Sequence, residues 1–298
     1  MLSIVIPTYN EEKNIPILYK ELKSVLNEYQ YEIIFVDDGS SDNTFPIIKS
    51  VAQKDKKVKL ISFKRNYGKS AALSAGFENA KGDIIITLDA DLQDDPKEIP
   101  RFIEKINQGY DLVSGWKFKR KDSLTKIISS RFFNFLTSML TKVKIHDINC
   151  GFKAYKKEVL KNINIYGELH RYIPVLAFWK GYKIGEIKVE HHPRMYGKSK
   201  YGATRLFKGF LDLITVKFLM SYGSRPLHLF GLIGMLCFLL GAIIGLYLTY
   251  LRFLNYKIGD RPLLMLAVLL IVLGVQFISL GLLGEMIISK KKQETIRK

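Results

Sequence analysis

Two long apolar stretches near the carboxyl end, Leu227 to Leu251 and Leu263 to Ser289, restrict this chain more than any other feature. Each exceeds the roughly 20 residues that cross a bilayer core, and the only charge in either is Glu285, close to one end. Helices buried in a soluble protein rarely stay apolar on every face for that length, so both read as membrane spans. Residues 1–226 must therefore supply any soluble domain. No cleavable signal is expected, because Met1 to Pro7 is too short and lacks a basic lead. Lys290, Lys291, Lys292, Arg297 and Lys298 follow the second span and predict a cytoplasmic tail at 290–298. The short loop Asn255 to Arg261 then faces outward, although Arg252, Lys257 and Arg261 make it basic as well. Tail charge, an even span count and a domain without a signal together place both termini and the large domain in the cytoplasm. Cys150 and Cys237 lie too far apart to suggest a disulfide framework or a zinc site.

Ahead of the spans, apolar runs alternate with amphipathic ones. Strands are predicted at Leu2 to Pro7, Tyr31 to Val36, Val58 to Phe63 and Asp83 to Asp89, with helices at Glu12 to Glu28, Thr44 to Lys54 and Lys69 to Ala80. Successive βαβ units give an α/β domain with a mainly parallel sheet and right-handed crossovers. The formal charge of +18 admits nucleic acid, anionic lipid or a phosphorylated substrate as partner. Its placement favours lipid and phosphate over nucleic acid. Lys117, Lys119, Arg120, Lys121, Lys126 and Arg131 surround the apolar segment Leu124 to Val143, and Arg205, Lys208 and Lys217 are interleaved with aromatic and aliphatic residues over Ala203 to Tyr222. These read as interfacial helices on anionic membrane lipid, the second occupying 203–226 ahead of a two-helix anchor at 227–289.

The chemistry concentrates where the fourth strand stops. Asp89-Ala90-Asp91 presents two hard oxygen ligands at one point, a set suited to Mg²⁺ or Mn²⁺, and Gln93 offers a neutral oxygen beside them. Open α/β sheets bind ligands at the carboxyl ends of their strands, where these residues fall. D-x-D alone is common in polar turns, and what raises it here is the polar loops after the other strands. These are Thr8-Tyr9-Asn10-Glu11, Asp37-Asp38-Gly39-Ser40-Ser41-Asp42 and Asn66-Tyr67-Gly68-Lys69. No G-x-G-x-x-G or Walker loop occurs, so hydroxyls, base edges and a metal are expected to do the recognition. Asn10 and Asp42 also have a bland reading as helix caps.

These four motifs, in order and followed by two spans, resemble family 2 glycosyltransferases of the GT-A fold, more narrowly the polyprenyl-phosphate glycosyltransferases similar to dolichol-phosphate mannose synthase. The resemblance implies a nucleotide sugar donor linked to UDP or GDP, a polyprenyl (undecaprenyl) phosphate acceptor, a divalent cation and inversion at the anomeric carbon. By it, Pro7, Tyr9, Glu11, Val36, Asp38 and Lys69 would line the nucleotide-sugar pocket, and Asp89, Ala90, Asp91 and Gln93 would hold metal and diphosphate. Arg194-Met195-Tyr196-Gly197-Lys198-Ser199-Lys200-Tyr201 matches the family's R-x-x-G-x-S-K-Y segment, which would make Arg194 and Lys200 phosphate clamps and Lys198 a solvent or headgroup contact. Lys117 falls where relatives often carry Arg, with Arg120 able to serve instead. Asp147 is the remaining catalytic candidate, as a base, an acceptor-orienting or sugar-binding group, or a turn cap. His146, His170, His191 and His192 are not at metal-ligand spacing, although His170-Arg171 could contact sugar or phosphate.

The expected reaction is a single in-line displacement in a GT-A catalytic domain at 1–202. A processive polysaccharide synthase is the alternative within the broad family, but neither Trp116 nor Trp179 lies in a Q-x-x-R-W motif. A membrane-tethered scaffold that binds a nucleotide sugar without turnover is the alternative outside it. Sugar identity is not fixed by spacing, and the oligomeric state is left open, with a homo-oligomer allowed.

Overall fold

The computed structural model describes residues 1–118, 134–196, 204–223, 225–259 and 262–296. The chain divides into two compact units, Met1–Val216 and Lys217–Lys298.

The first unit is built on a seven-stranded sheet of β1 (Leu2–Thr8), β2 (Tyr31–Asp37), β3 (Val58–Ser62), β4 (Ile84–Thr87), β5 (Leu112–Lys117), β6 (Lys153–Lys156) and β7 (Ile184–Val189), in the order β3-β2-β1-β4-β6-β5-β7. β1 to β4 pair in parallel, and β5 pairs in parallel with β7. β6 runs antiparallel to both β4 and β5 and joins the two parallel blocks, which no run in the sequence announced. Every residue of β2 is buried, which is why it reads as a continuous apolar run and not as an alternation. The covering helices include α1 (Ile15–Val25), α2 (Thr44–Lys54), α3 (Lys69–Asn79) and α4 (Ile99–Asn107). α4 shows how they pack: Ile99, Phe102 and Ile106 fall on one face and are buried, and the Phe102 ring meets Phe152 at 4.3 Å between centroids.

α1 starts at Ile15, three residues later than predicted, because the preceding residues serve a different purpose. Asn10 takes a left-handed φ of 54° and its Oδ1 accepts from the Ser41 amide at 2.8 Å, while the Glu11 amide donates to Thr44 Oγ1 at 2.8 Å. The loops after β1 and β2 are thereby laced together. Asp42 stands one residue ahead of the helix cap, Asn43, and its carboxylate accepts from the Thr44 amide at 3.0 Å and the Glu12 amide at 3.3 Å.

Two predicted interfacial segments fall partly within the described residues. Residues 134–141 are helical and expose Phe135 and Met139, one turn apart. The helix Thr204–Tyr222 exposes Leu211 and Ile214 and buries Leu213 and Val216, and Tyr172 Oη donates to the Gly209 carbonyl at 3.0 Å. The first turns of this helix thus dock on the α/β domain.

The second unit contains Leu227–Phe253 and Pro262–Ile296, both long and apolar enough to cross a membrane. They pack as a hairpin through small residues. A Cβ added at Gly234 would sit 2.7 Å from the Gly274 carbonyl oxygen, and one at Gly241 would sit 2.8 Å from that of Ala267. Within such a hairpin, small residues let the backbones approach and gain dispersion contacts that lipid does not outcompete.

Candidate active site

The sheet order creates one place where neighbouring strands are left in opposite directions. From β1 the chain adds β2 and β3 on one side and then crosses to β4 on the other, so a crevice opens at the carboxyl ends of β1 and β4. A cleft of about 320 Å³ lies there. Its lining brings together the predicted Pro7, Tyr9, Glu11, Asp38, Lys69, Asp89, Ala90, Asp91 and Arg194, with Thr8, Asn66, Gly68 and Ala72 between them.

At one end of the cleft, Asp38 is held by backbone. Its two carboxylate oxygens accept from the Tyr67 amide at 2.7 Å and the Gly68 amide at 2.9 Å. Burial, with Asp37 adding to it, pushes the Asp38 carboxyl above its ordinary range despite these two bonds. The loop that supplies the amides approaches so closely that a Cβ on Gly39 would lie 2.4 Å from the Arg65 carbonyl carbon, and Gly39 has a φ of 70°. Glycine is required there on both counts.

At the other end the acids are held by side-chain cations. Lys69 Nζ pairs with Asp89, and Arg194 pairs with Asp91 at 2.6 Å. Burial disfavours the charged form of Asp89, but the Lys69 ammonium outweighs it and holds the carboxyl down at about 2. Asp91 goes the other way, pushed up to about 6 by burial and then by Asp89, with Arg194 opposing. Gly151 abuts this pair, since a Cβ there would lie 2.6 Å from Asp89 Oδ2. Two converging carboxylates, one of them resisting ionisation beside the other, are a donor set that a hard dication would relieve. The residues therefore fit Mg²⁺ or Mn²⁺.

Several predicted residues lie elsewhere. Val36 is wholly buried in β2 and is not among the cleft residues. Lys117, the last residue of β5, pairs with the buried Asp94 at 2.9 Å behind the D-x-D loop, outside the lining. Gln93 donates from its side-chain amide nitrogen to the His192 carbonyl, 3.3 Å away, while its backbone carbonyl accepts the His192 amide at 2.9 Å. Asp147 is 1% exposed and outside the lining, with its backbone amide 3.4 Å from Glu186 Oε1 and its charge felt by Lys153. Lys200, with Lys198 and Arg120, lies outside the described residues.

The structure also assembles groups that spacing did not reveal. The bridge between Asp94 and His191 brings Asp95, Glu190 and His192 together, their ligand atoms within 4.8 Å of one another, as a second, more exposed candidate cation site. Lys153, 3% exposed, donates from Nζ to the Cys150 carbonyl and secures the turn that carries Gly151. Ser70 meets His170 across the domain. Ser70 with His170, and Asp95 with His192, are too far apart in sequence to leave a pattern.

Comparison with known proteins gives the family and the fold. Residues 3–163 match the family described as glycosyl transferase family 2, and residues 225–289 match a GtrB C-terminal hairpin. The dodecaprenyl-phosphate galacturonate synthase of Rhizobium johnstonii is 40% identical over 96% of this chain and 87% of its own length. The undecaprenyl-phosphate 4-deoxy-4-formamido-L-arabinose transferase of Pseudomonas aeruginosa is 38% identical over 96% of this chain and 84% of its own. Among solved structures, the glucosyl-3-phosphoglycerate synthase of Mycobacterium tuberculosis, crystallised with Mn²⁺, uridine diphosphate and phosphoglyceric acid, superposes with a TM-score of 0.59. It is 18% identical and covers 74% of this chain and 78% of its own, a likeness of fold.

Proposed function

The chain belongs to glycosyl transferase family 2, and from that premise we propose that it moves a sugar from a UDP- or GDP-linked donor to a polyprenyl phosphate, undecaprenyl phosphate or a close relative, with inversion at the anomeric carbon. The observation that carries this reading is the Asp89–Asp91 pair, countered by Lys69 and Arg194, at one end of a cleft whose other end holds Asp38 as a fixed acceptor. Asp38 would receive the N–H of a base, which uracil and guanine both offer, and Tyr9 and Glu11 would flank the nucleoside. Asp89 and Asp91 would hold Mg²⁺ or Mn²⁺. When bound, that ion neutralises charge on the leaving diphosphate. Arg194 would release Asp91 and turn to the diphosphate, and Lys200 would join it by the family resemblance.

The lipid phosphate attacks the anomeric carbon as the bond to the diphosphate breaks, and the bonding electrons leave with the nucleotide. A phosphate monoester with a second pKa near 6 is largely dianionic at neutral pH, so the reaction asks little of a general base. Asp147, buried beside Lys153, would orient the Gly151 turn. The apolar hairpin and exposed Phe135 and Met139 would keep this chemistry at the cytoplasmic face of the cell membrane, within reach of a lipid-borne acceptor. The sugars named in the relatives, galacturonate and formamido-arabinose, both bear a carbonyl-containing substituent, and we extend that class to this donor.

The test is incubation of the purified full-length chain with undecaprenyl phosphate, Mg²⁺ or Mn²⁺ and a panel of sugar nucleotides. A lipid-linked sugar formed in step with released nucleoside diphosphate is expected. Nucleotide-sugar binding with no lipid product from any donor would favour the scaffold instead.

A further inference from the structure

Gly151 lies in the bend two residues ahead of β6, and its backbone does not call for glycine, because its φ is not one of the left-handed angles in this chain. Space is the remaining reason. A Cβ on Gly151 would lie 2.6 Å from Oδ2 of Asp89, 2.8 Å from its carboxyl carbon and 2.8 Å from its Oδ1, so the three nearest atoms all belong to one carboxylate. Lys69 Nζ pairs with Oδ1 of the same group, and Oδ2 is the oxygen nearest the glycine. The carboxylate is thus seated between an ammonium and a recess that exists only while position 151 has no side chain.

The bend that forms the recess is held more firmly than the side chain it receives. Thr87, two residues ahead of Asp89, donates from Oγ1 to the Gly151 carbonyl at 2.8 Å, and Thr87 is the register partner of Lys153 across β4 and β6. Lys153 donates from Nζ to the Cys150 carbonyl, and to that of Ile148 at 3.4 Å. The Gly115 amide donates to the Phe152 carbonyl at 2.9 Å. The carbonyls of Cys150, Gly151 and Phe152 are therefore tied to β6, β4 and β5 in turn, whereas the Asp89 side chain can answer a clash by rotating about its own torsions. A side chain added at 151 would displace the carboxylate and leave the bend in place. We propose that Gly151 is a positioning residue for Asp89, setting from the approach to β6 the direction in which that carboxylate faces the cleft. This rests on the transfer reading above, in which Asp89 and Asp91 share a dication, and adds to it the group that aims one of the two ligands.

The test uses full-length protein in detergent, with Mn²⁺ binding followed by electron paramagnetic resonance in the presence of UDP. Gly151→Ala should weaken Mn²⁺ binding by about 10-fold or more, the range for groups that orient a metal ligand from behind, while the affinity for UDP without metal stays within about twofold. Asp89→Ala empties the recess, and in that background Gly151→Ala should raise the melting temperature, because replacing glycine at a φ that other residues accept restricts the unfolded chain. With Asp89 present the same substitution should raise it less or lower it, since the carboxylate is pushed off Lys69. The structure of the Gly151→Ala protein should show Asp89 turned out of the recess and the backbone of 147–152 unmoved. Unchanged Mn²⁺ affinity, the same shift of melting temperature in both backgrounds, or a displaced bend with Asp89 still seated would overturn the proposal. If Gly151→Ala alone does not fold, the double variant should, and failure of both also overturns it. If the unaltered chain binds no Mn²⁺ or turns over no donor, the transfer reading fails separately, and the melting temperatures with the structure still decide the role of Gly151.

Discussion

The two ends of the cleft solve the same electrostatic problem with different materials. At the Asp38 end, carboxylates are satisfied by amides and hydroxyls: Asp38 by Tyr67 and Gly68, Asp37 by Ser40 and Ser62, Asp42 by Thr44. At the Asp89 end they are satisfied by the side chains of Lys69 and Arg194. Amide partners are part of the folded chain and cannot leave without unfolding a loop. Side-chain cations can rotate away when a better counter-charge arrives. The first arrangement suits a part of the ligand that binds identically before and after reaction. The second suits the part whose charge changes during it.

The largest expected effect is at the exchangeable end. Asp91→Ala should reduce transfer by roughly 10³-fold, the upper range for loss of one transition-state electrostatic contact, with an unchanged melting temperature showing that the fold survives. Appreciable activity that no longer responds to a chelator would break the comparison by removing the metal from it. Arg194→Ala comes next, lowering kcat by about 10²-fold while UDP affinity changes much less, because the guanidinium contact strengthens as the diphosphate departs. A loss confined to affinity would make Arg194 another fixed contact and erase the distinction.

Asp38→Ala should do the converse, weakening nucleotide binding by about 10-fold or more in a direct titration, with kcat at saturating donor little altered. Smallest is Asp42→Ala, which removes the acceptor of the Thr44 and Glu12 amides outside the cleft lining. It should cost about 1 kcal/mol, seen as a lower denaturation midpoint, and leave kinetics untouched. A kinetic effect at Asp42 would mean that the laced loops move during turnover.

The sequence made the residues that close a buried strand far more legible than those whose partners come from distant segments. β1, β2 and β4 are apolar runs buried on both faces, and the residues that end such strands must lie at the sheet's carboxyl edge, so Tyr9, Asp38 and Asp91 could be placed by counting. The helix Thr44–Lys54 and both long apolar helices were visible in the same way, from periodicity and length. Lys117 stands outside the cleft lining for a physical reason. Its partner Asp94 comes within reach only because β6, the four residues Lys153–Lys156, inserts antiparallel between β4 and β5, and four residues are too few to show a period. Ser70 with His170, and His192 with Asp95, join distant segments through pairings that leave no local trace.

The backbone bond between the His192 amide and the Gln93 carbonyl, at 2.9 Å, sets the range of motion of the residue that matters most in the exchange. Arg194 stands two positions past that anchor, and two residues of extended chain reach no more than about 7 Å. Pro193 between them fixes its own φ and shortens the swing further. The guanidinium is therefore on a leash, long enough to pass from Asp91 to a neighbouring phosphate and too short to drift out of the cleft. Turnover would then begin each cycle with the arginine already at the door, its search reduced from a loop's worth of conformations to a few side-chain rotations.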